Sequence, residues 1–528
     1  MAALIKSNNY EEAINAYTKK TPILLKSILI GLLTGIVVSG YRFILIEAGE
    51  LSFRIYEEAL NHLIWVPLLF ILLGACGILV GNLVSKYGMI SGSGIPQVKG
   101  IIMGYLKNNW FSTLVAKFFG GALATLAGLS LGREGPSIQL GACVAEGVGE
   151  KLALSRTEQK VLIASGASAG LAAAFNAPLS GAMFAMEEIF KYISPVILLS
   201  TLLAAVVADF ISKIFFGLSP VFQFGVLSII PLQEYWLLFV LGAVLGAAGA
   251  FYNYLLISTQ RFYKKVKWLS LKTRLVVPFI LAGIIGLTFP IALGSGHLII
   301  EELNLSTSLT FLIILFVVKF VFSMLSFGSG APGGIFFPLL MLGAVIGGIF
   351  GHLVINYIGY DSSLFTSFIV LAMAGYFTAI VRAPITGILL LVEMTGSFTH
   401  LLPLTVVSIT SYVVADLLKS VPIYESLLSN LIRDRKAGKD EQEKSDKVIV
   451  EVLVHHGSLA EKKYLKDIDF PKNCLLIAIK RAKQDIIPRG DTMILAGDYL
   501  QFLTNVVDEA RIREILTEIT SCELKIFS

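Results

Sequence analysis

Residues Gly128-Leu-Ser-Leu-Gly-Arg-Glu-Gly-Pro-Ser-Ile-Gln-Leu-Gly-Ala142 place an arginine and a glutamate in the middle of a long apolar region. Ionisable groups at membrane depth are costly and usually face a cavity or an ion path. The glycines beside Arg133 and Glu134 allow a ligand to approach the backbone closely, and Pro136 suits the first turn of a helix. The stretch therefore predicts a loop that leads into a helix N-terminus, where free N–H groups and the helix dipole form an anion site. The Glu134 carboxylate would compete with a dissolved anion for that site and could also carry a proton.

The composition is that of a polytopic membrane protein. The chain has 528 residues, of which 55% are hydrophobic and 15% charged, with a mean hydropathy of +0.78, whereas a soluble domain carries about 25% charged residues. The four dispersed cysteines form no CxxC pair, which favours a reducing compartment without a disulfide framework or a metal site. The net charge of +5 comes from basic residues in loops, which is a topology signal rather than a nucleic-acid surface.

Apolar segments, several of them shorter than the about 20 residues of a full membrane span, occupy most of residues 22–425. We divide this region into halves at about 22–216 and 236–425, preceded by a polar cytoplasmic segment over 1–21. No cleavable signal peptide is expected, because charged residues precede the first apolar run. Lysines and arginines cluster at 19–26, 261–274 and 419–447. The positive-inside rule then predicts that both termini lie in the cytoplasm.

An internal repeat is visible in the sequence. Asn176-Ala-Pro-Leu-Ser-Gly181 is followed by Glu187, and Arg382-Ala-Pro-Ile-Thr-Gly387 is followed by Glu393, at the same spacing (187 − 176 = 393 − 382 = 11). Two similar halves with short, broken helices are typical of inverted-repeat transporters, whose binding site lies near the midplane. Chance similarity between Gly/Ala-rich helices is the alternative, and two matches in the same order favour the repeat.

A second match sets the offset between the halves. Pro136-x-x-x-Leu-Gly-Ala142 matches Pro338-x-x-x-Leu-Gly-Ala344 at an offset of 202 (338 − 136), so that Glu134 falls on Phe336. Gly330-Ala-Pro-Gly-Gly-Ile-Phe-Phe-Pro338 is then the second copy of the first loop. If the halves are inverted, both helix N-termini point at one site, and two dipole ends select an anion without holding it too tightly.

Two hydroxyl side chains are further candidates for this site. Ser93 lies in the glycine-flanked stretch Ser91-Gly-Ser-Gly-Ile-Pro-Gln97, although a serine between glycines is by itself more often part of a flexible turn. Tyr424 follows the last apolar segment, where a lone tyrosine is more often an interface anchor.

The chain changes character after residue 425. Residues 426–446 are highly charged and predict a cytoplasmic linker. Residues 447–528 predict a small α+β domain. Its candidate strands are 448–454, 475–479, 485–489, 491–495 and 499–504, and its candidate helix is 508–520.

As a set, Gly92-Ser-Gly-Ile-Pro96, Gly132-Arg-Glu-Gly-Pro136, Gly334-Ile-Phe-Phe-Pro338 and Tyr424 resemble the CLC family of chloride channels and chloride/proton antiporters. The motifs follow the family's order, and the resemblance covers about residues 22–425. It implies an all-α polytopic membrane fold with an inverted internal repeat and broken helices. It also implies a homodimer in the lipid bilayer with a pore in each subunit.

The resemblance carries the family's functional residues over to this chain. The chloride contacts fall on the Ser93 and Tyr424 hydroxyls, the Ile335 and Phe336 amides, and the amides around Arg133 and Gly135. Glu134 would be the gating and proton-carrying glutamate. Serine at 93 and tyrosine at 424 favour chloride over nitrate and fluoride.

Antiporters of the family carry a second, inner glutamate, and Glu188 in Met186-Glu-Glu-Ile189 matches it. A buried carboxylate can hold and release a proton, so Glu188 is the expected inner proton relay. In the structural alternative, Glu187 and Glu188 cap a helix end beside Lys191, and the protein is a gated chloride channel without proton coupling. Lys99 departs from the family pattern, because acidic residues are common at its position.

The other ionisable residues within apolar segments have a structural interpretation. We expect Lys117, Lys319 and Glu393 to be paired structural charges. The chain has no Walker motif, no metal-ligand cluster and no Ser/His/Asp set, so we expect neither an enzyme nor a cofactor or metal.

Ile487-Pro-Arg-Gly-Asp-Thr-Met-Ile-Leu-Ala-Gly-Asp498 resembles the TrkA-C module of potassium-conductance regulators, which favours a bacterial cell-membrane protein. Some members of that family bind cyclic di-AMP between paired domains. Its candidate contacts here are Arg481 for phosphate, with Ile486, Ile487 and Pro488 for the base. A dimerisation module without a ligand and a nucleotide receptor that switches the pore both remain open.

Overall fold

The computed structural model describes residues 21–222, 224, 228–266, 270–437, 447–481, 484–505 and 508–521. The predicted polar segment 1–21, apart from Thr21, and the part of the predicted linker over 438–446 therefore lie outside the described residues. The chain forms two compact units, one made of Met1–Ile102 and Asn108–Asn430 and one that includes Leu431–Ser528.

The first unit is built of helices, eight in each half as the described residues have them. The first half contains α1 (Thr21–Asn61), α2 (Val66–Lys86), α3 (Ile95–Ile102), α4 (Trp110–Leu126), α5 (Glu134–Lys151), α6 (Arg156–Phe175), α7 (Pro178–Phe184) and α8 (Pro195–Phe216). The second contains α9 (Tyr235–Lys265), α10 (Val276–Thr288), α11 (His297–Glu302), α12 (Leu309–Gly328), α13 (Phe336–Leu353), α14 (Phe365–Val381), α15 (Pro384–Thr395) and α16 (Leu401–Leu417). A further helix, α17 (Ile423–Ala437), follows the second half.

Seven helical stretches of the described chain are long and apolar enough to cross a membrane. They are Pro22–Asn61, Leu63–Lys86, Pro195–Phe216, Leu232–Lys265, Leu309–Gly328, Phe336–Ile358 and Ser362–Val381. Between them lie shorter or broken helices such as α3, α7 and α11, which are too short for a full span. The fold is therefore the all-α, multi-pass membrane architecture with broken helices that the sequence predicted.

Equivalent helices of the two halves begin at positions separated by the predicted offset of 202 residues. Glu134 and Phe336 are the first residues of α5 and α13, and 336 − 134 is 202. The same offset relates the Gly-Ser-Gly turn of the Ser93 stretch, Gly92–Gly94 before α3, to a second copy that was not predicted, Gly294–Gly296 before α11. The outer glycines of both turns have positive φ angles, 66° and 100° in the first and 65° and 94° in the second, a conformation that suits glycine.

Two buried lysines, again 202 residues apart, hold these turns. The Lys117 ammonium donates to the carbonyls of Ile90 at 2.9 Å and Gly92 at 2.5 Å. The Lys319 ammonium donates to the carbonyls of Ala292 at 2.8 Å and Gly294 at 2.5 Å. Both lysines have structural contacts, but the contacts are backbone carbonyls rather than the carboxylates expected of paired charges.

The repeat glutamates are exchanged between the halves. Glu187 of the first half accepts hydrogen bonds from the first turn of α15, and Glu393 of the second half accepts them from the first turn of α7. The amide-to-carboxylate distances are 3.1 Å for Ile385, 2.6 Å for Thr386, 2.9 Å for Leu179 and 2.8 Å for Ser180. A carboxylate at a helix N-terminus satisfies free N–H groups and meets the positive dipole end. Each half thus caps a helix of the other.

The second unit is a small α+β domain. Its sheet has the order β1 (Lys447–Leu453), β4 (Tyr499–Asn505), β2 (Cys474–Arg481), β3 (Gln484–Ile486), with all pairs antiparallel, and α18 (Glu509–Thr520) follows. Side chains from one face of the sheet, such as Val450, Leu500 and Phe502, form a core with Ile512 and Leu516 of the helix.

Two of the five predicted strands of this domain need correction. The candidate strand 485–489 is reduced to the end of β3, because Pro488 has no amide hydrogen for a ladder. The candidate strand 491–495 is not a strand of the sheet. Its Ile494 amide donates instead to the Lys463 carbonyl at 2.9 Å, and Thr492 closes a turn onto Arg489 at 2.8 Å.

We predict that Glu187→Gln and Glu393→Gln each lower the free energy of unfolding by about 1 kcal/mol, because an amide keeps the shape of the cap but loses its charge. Thermal unfolding of the purified protein in detergent measures the effect. Glu50→Gln is the matched control, because Glu50 and its partner Arg54 are both exposed and lie 3.5 Å apart on one helix. Equal losses in all three variants would contradict a specific role for the exchanged caps.

Candidate anion and proton site

Two loops, one from each half, are joined by a pair of backbone hydrogen bonds. The Gly132 amide donates to the Gly334 carbonyl, and the Gly334 amide donates to the Gly132 carbonyl, both at 2.7 Å. Gly132 lies two residues before the start of α5, and Gly334 lies two residues before the start of α13. The bridge therefore brings the N-termini of α5 and α13 to one place.

The Ser93 loop is attached to the same point. The Gly92 amide donates to the Gly330 carbonyl at 3.3 Å, and the Gly333 amide donates to the Gly92 carbonyl at 3.1 Å. Ser93 itself is 2% exposed. Its backbone packs so closely on Gly135 that a Cβ added to Gly135 would lie 2.7 Å from the Ser93 carbonyl oxygen. Glycine at 135 is thus required by the close approach of two backbones.

The two predicted hydroxyls meet in this region. Tyr424 lies in the first turn of α17 and is fully buried. Among the described residues, no third group bonds the Ser93 Oγ or the Tyr424 oxygen, and the two hydroxyls are close enough to bond each other, which leaves at least one O–H free to donate. Buried polar atoms nearly always have a partner, so two such hydroxyls mark a place for a ligand that accepts hydrogen bonds.

The first residues of α13 complete the arrangement. Ile335 and Phe336 are fully buried, and the first amides of a helix have no acceptor within it. The Phe336 ring is fixed between Phe175, with ring centroids 5.0 Å apart, and Phe377, at 4.7 Å. The N-terminal amides of α13 and the two hydroxyls can together surround a small anion.

Glu134 begins α5 and lies beside this place. Its carboxylate is fully buried, no side chain in the described parts of the chain bonds it, and its nearest hydrogen-bond donors are the backbone amides of Glu134 itself and of Phe337. A Cβ added to the neighbouring Gly132 would lie 3.1 Å from the Phe337 amide nitrogen, so the carboxylate of α5 and the amides of α13 share one small volume. Arg133 precedes it as the N-cap residue of α5. A carboxylate in this position can occupy an anion's place when charged and withdraw when protonated.

Glu188 lies in a π-helical turn, Ala185–Phe190, that continues α7. Such turns interrupt the regular side-chain register and are frequent at functional sites. The turn separates two adjacent carboxylates, because Glu187 caps α15 while Glu188 turns inwards and is fully buried. Glu188, the predicted proton relay, therefore lies in a buried environment that differs from the helix-capping position of Glu187.

Two lysines hold the Glu188 carboxylate. The Lys99 ammonium lies 3.2 Å from one oxygen, and the Lys191 ammonium lies 3.0 Å from the other. Lys99 also donates to Glu425, which lies 3.9 Å from the Lys191 ammonium. The ion pair with Lys191 agrees with the structural alternative for Glu188. The pairing with Lys99 and Glu425 was missed, and its only signals were the unusual lysine at 99 and the position of Glu425 directly after Tyr424.

The candidate nucleotide contacts lie at one end of the tail sheet. The Arg481 guanidinium is bound by the buried Asp498 carboxylate through two bonds of 2.8 Å, and it donates to the Met493 carbonyl at 2.7 Å. This pairing raises the pKa of Arg481, so the guanidinium stays charged. Ile486 and Pro488 are half-buried, whereas Ile487 is 78% exposed. Arg481, the candidate phosphate contact, is therefore already bound within the domain by Asp498 and Met493.

Comparisons with known proteins give the family. Residues 76–416 match the family model described as voltage gated chloride channel, and residues 449–517 match the TrkA-C domain. The match to the first model covers more than half of the chain, and the chain therefore belongs to the voltage-gated chloride channel family and carries a TrkA-C domain. The resemblance seen in the four motifs and in the tail is confirmed.

Individual relatives are similar over most of their length. The H(+)/Cl(−) exchange transporter ClcA of Vibrio parahaemolyticus is 33% identical over 443 residues, which are 81% of this chain and 94% of the relative. A slow cyanobacterial Cl−/H+ antiporter of known structure has a TM-score of 0.75 at 28% identity and covers 78% of this chain and 99% of its own. A eukaryotic CLC transporter, with a TM-score of 0.66 at 21% identity over 84% of this chain and 78% of its own, shares the fold.

We predict that Arg481→Ala destabilises the tail domain by about 2 kcal/mol, because the Asp498 carboxylate stays buried without its partner. The loss should be smaller than for a fully buried pair, since the Arg481 side chain is 34% exposed. Urea-dependent proteolysis of the tail in the full-length protein measures it, with the exposed neighbour Lys480→Ala as control. Equal urea midpoints for both variants would contradict a structural role for Arg481.

Proposed function

We propose that this protein is a chloride/proton antiporter of the bacterial cell membrane. It works as a homodimer with a separate pathway in each subunit and with both termini in the cytoplasm. The observation that carries the proposal is the buried Glu134 carboxylate, which lies where the N-termini of α5 and α13 meet and has only the backbone amides of these two helix starts as donors among the described residues.

Chloride binds at the junction of the two halves in this proposal. The hydroxyls of Ser93 and Tyr424 and the amides of Ile335 and Phe336 donate hydrogen bonds to the central anion. The amides around Arg133 and Gly135 bind a second, outer anion at the N-terminus of α5. Backbone amides and hydroxyls carry partial charges only, so the anion is selected but can leave again.

Proton transfer uses the two buried glutamates. The charged Glu134 side chain occupies an anion position, and a proton neutralises it so that it can be displaced by chloride. Glu188 is fully buried, and both Glu188 and Glu134 lie near enough to Tyr424 to act on it electrostatically. In this proposal Glu188 receives the proton first and passes it towards Glu134. This assignment is supported by two of the similar proteins, because the Vibrio relative is named an H(+)/Cl(−) exchange transporter and the cyanobacterial protein is described as a Cl−/H+ antiporter.

A gated chloride channel is the second candidate, and one observation favours it. Glu188 is held by Lys99 at 3.2 Å and Lys191 at 3.0 Å, and two ammonium groups stabilise the charged carboxylate against protonation. If the pairs never open, Glu188 cannot relay protons and chloride crosses alone.

The TrkA-C domain is the proposed regulatory element, and cyclic di-AMP is its proposed ligand. The exposed side chain of Ile487 is available for packing on a base, whereas Arg481 is already bound to Asp498. Ile487 is therefore the cleaner position for testing the ligand, because its substitution leaves the Arg481 ion pair intact. Under this arrangement nucleotide binding to the full-length protein would change the chloride flux.

The antiport prediction is tested in sealed vesicles loaded with a chloride gradient. The wild type should move protons against their own gradient. Glu188→Val should pass chloride without protons because the relay is lost, and Glu134→Ala should do the same because the carboxylate no longer blocks the path. A chloride-selective electrode and a pH electrode record both fluxes.

The two candidate functions give different results in this assay. Chloride flux without any proton movement in the wild type would overturn antiport and favour the channel. Proton movement that persists in Glu188→Val would remove Glu188 from the relay.

A further inference from the structure

Lys99, Glu188, Lys191 and Glu425 form a compact group of two positive and two negative side chains, which we call the charge cluster. Lys99 and Glu188 are fully buried, whereas Lys191 is 37% and Glu425 is 35% exposed. Four charges of zero net sum satisfy one another, and a buried ammonium needs such partners. The cluster contains every charged side chain that contacts Glu188 within the described residues.

The cluster connects the two elements that bear the hydroxyls of the anion site. Ser93 lies just before α3, and Lys99 lies on α3 itself. Tyr424 and Glu425 are consecutive residues in the first turn of α17. The ion pair between Lys99 and Glu425 therefore links α3, which follows Ser93, to the first turn of α17, which contains Tyr424.

Lys99 forms ion pairs with two carboxylates, that of the proton relay Glu188 and that of Glu425 on α17. The Lys99 ammonium lies 3.2 Å from Glu188 and is bonded at the same time to Glu425. When Glu188 is charged, it attracts the Lys99 ammonium and repels the Glu425 carboxylate, and both effects weaken the contact between Lys99 and Glu425. When Glu188 takes up a proton, only Glu425 remains as a charged partner of Lys99, and the link between α3 and α17 becomes stronger.

We propose that Lys99 is a positioning residue that closes α3 on α17 while Glu188 carries a proton and loosens this closure when Glu188 is charged. The proposal deepens the antiport function and rests on it. Closure while the relay is loaded prevents chloride from passing on this side before the proton has moved on to Glu134. Release of the proton from Glu188 restores its attraction for Lys99 and its repulsion of Glu425, which loosens the closure and allows chloride to pass.

This arrangement gives Lys99 a role that a simple neutralising charge would not have. A neutralising lysine would support the fold or the ionised state of Glu188, and its loss would change both fluxes together. A coupling lysine determines how many protons accompany each chloride. The ratio of protons to chloride therefore distinguishes the two roles.

The test compares Lys99→Gln and Glu425→Gln with the wild type in the vesicle assay. Both variants break the link between α3 and α17, but only the first also removes a partner of Glu188. We expect chloride turnover to be kept or raised in both, and the proton-to-chloride ratio to fall by about tenfold, which corresponds to about 1.4 kcal/mol. Lys99→Arg, which keeps the charge, should retain most of the wild-type ratio.

Lys26→Gln is the matched control, because Lys26 forms a half-buried ion pair of 2.9 Å with Glu158 between α1 and α6, away from the charge cluster. It should keep the wild-type ratio. An unchanged ratio in both Lys99→Gln and Glu425→Gln, or an equal fall in Lys26→Gln, would overturn the proposal. If Lys99→Gln does not fold, the half-exposed position of Glu425 still allows the test to be made.

Failure of the proposed function has a separate result. A wild type that moves chloride without protons defeats antiport, whatever the variants do. In that case the link between α3 and α17 through Lys99 and Glu425 is tested by chloride turnover alone. Turnover should rise by about tenfold in Lys99→Gln and Glu425→Gln and not in Lys26→Gln. Unchanged turnover in the two cluster variants would also contradict the claim that Lys99 closes α3 on α17.

Discussion

The two hydrogen bonds between Gly132 and Gly334 are the constraint on which the site depends. They join the loops of both halves, and each loop leads directly into a helix whose first amides are free. A Cβ added at either glycine would lie 3.1 Å from a backbone nitrogen of the other half, which is tighter than an ordinary van der Waals contact. The positive ends of α5 and α13 consequently converge, and the buried hydroxyls of Ser93 and Tyr424 extend the group of hydrogen-bond donors. A membrane protein built in this way presents converging amide and hydroxyl donors, which carry only partial charges, to an anion at depth.

Four other charges of the membrane unit have specific partners. Glu187 and Glu393 are exchanged between the halves as helix caps, and Lys117 and Lys319 hold the two Gly-Ser-Gly turns. The two buried carboxylates that could carry protons differ from these. Among the described residues, Glu134 is bonded by no side chain and lies only against backbone amides at the helix starts, and Glu188 shares its two lysines with Glu425. Their bonding is incomplete or divided, which is what a proton carrier requires.

Much of the fold could be predicted because the chain repeats itself. The offset of 202 residues placed Phe336 opposite Glu134, and both begin a helix. Helices α3 and α11 were missed, since eight and six residues are too few to show a helical period. Helix α5 was recognised only at its N-terminus, because Glu146, Glu150 and Lys151 make its other end polar. In the tail, the candidate strand 485–489 was too long because Pro488 cannot donate to the ladder, and the candidate strand 491–495 was wrong because a turn onto Arg489 replaces it. The charge cluster could not be predicted, since its four members are brought together only by the packing of α3, α7 and α17.

The central claim is that the convergent N-termini of α5 and α13 form the anion site and that Glu134 competes for it. Bromide substitutes for chloride and is located by its anomalous scattering, so diffraction from bromide-soaked crystals of the wild type and Glu134→Gln tests the claim most directly. The account predicts bromide beside the Ser93 and Tyr424 hydroxyls and the Phe336 amide in both proteins. It also predicts an additional bromide at the amides of Arg133–Gly135 in Glu134→Gln alone. Bromide bound elsewhere, with none at these helix N-termini in either protein, would contradict it.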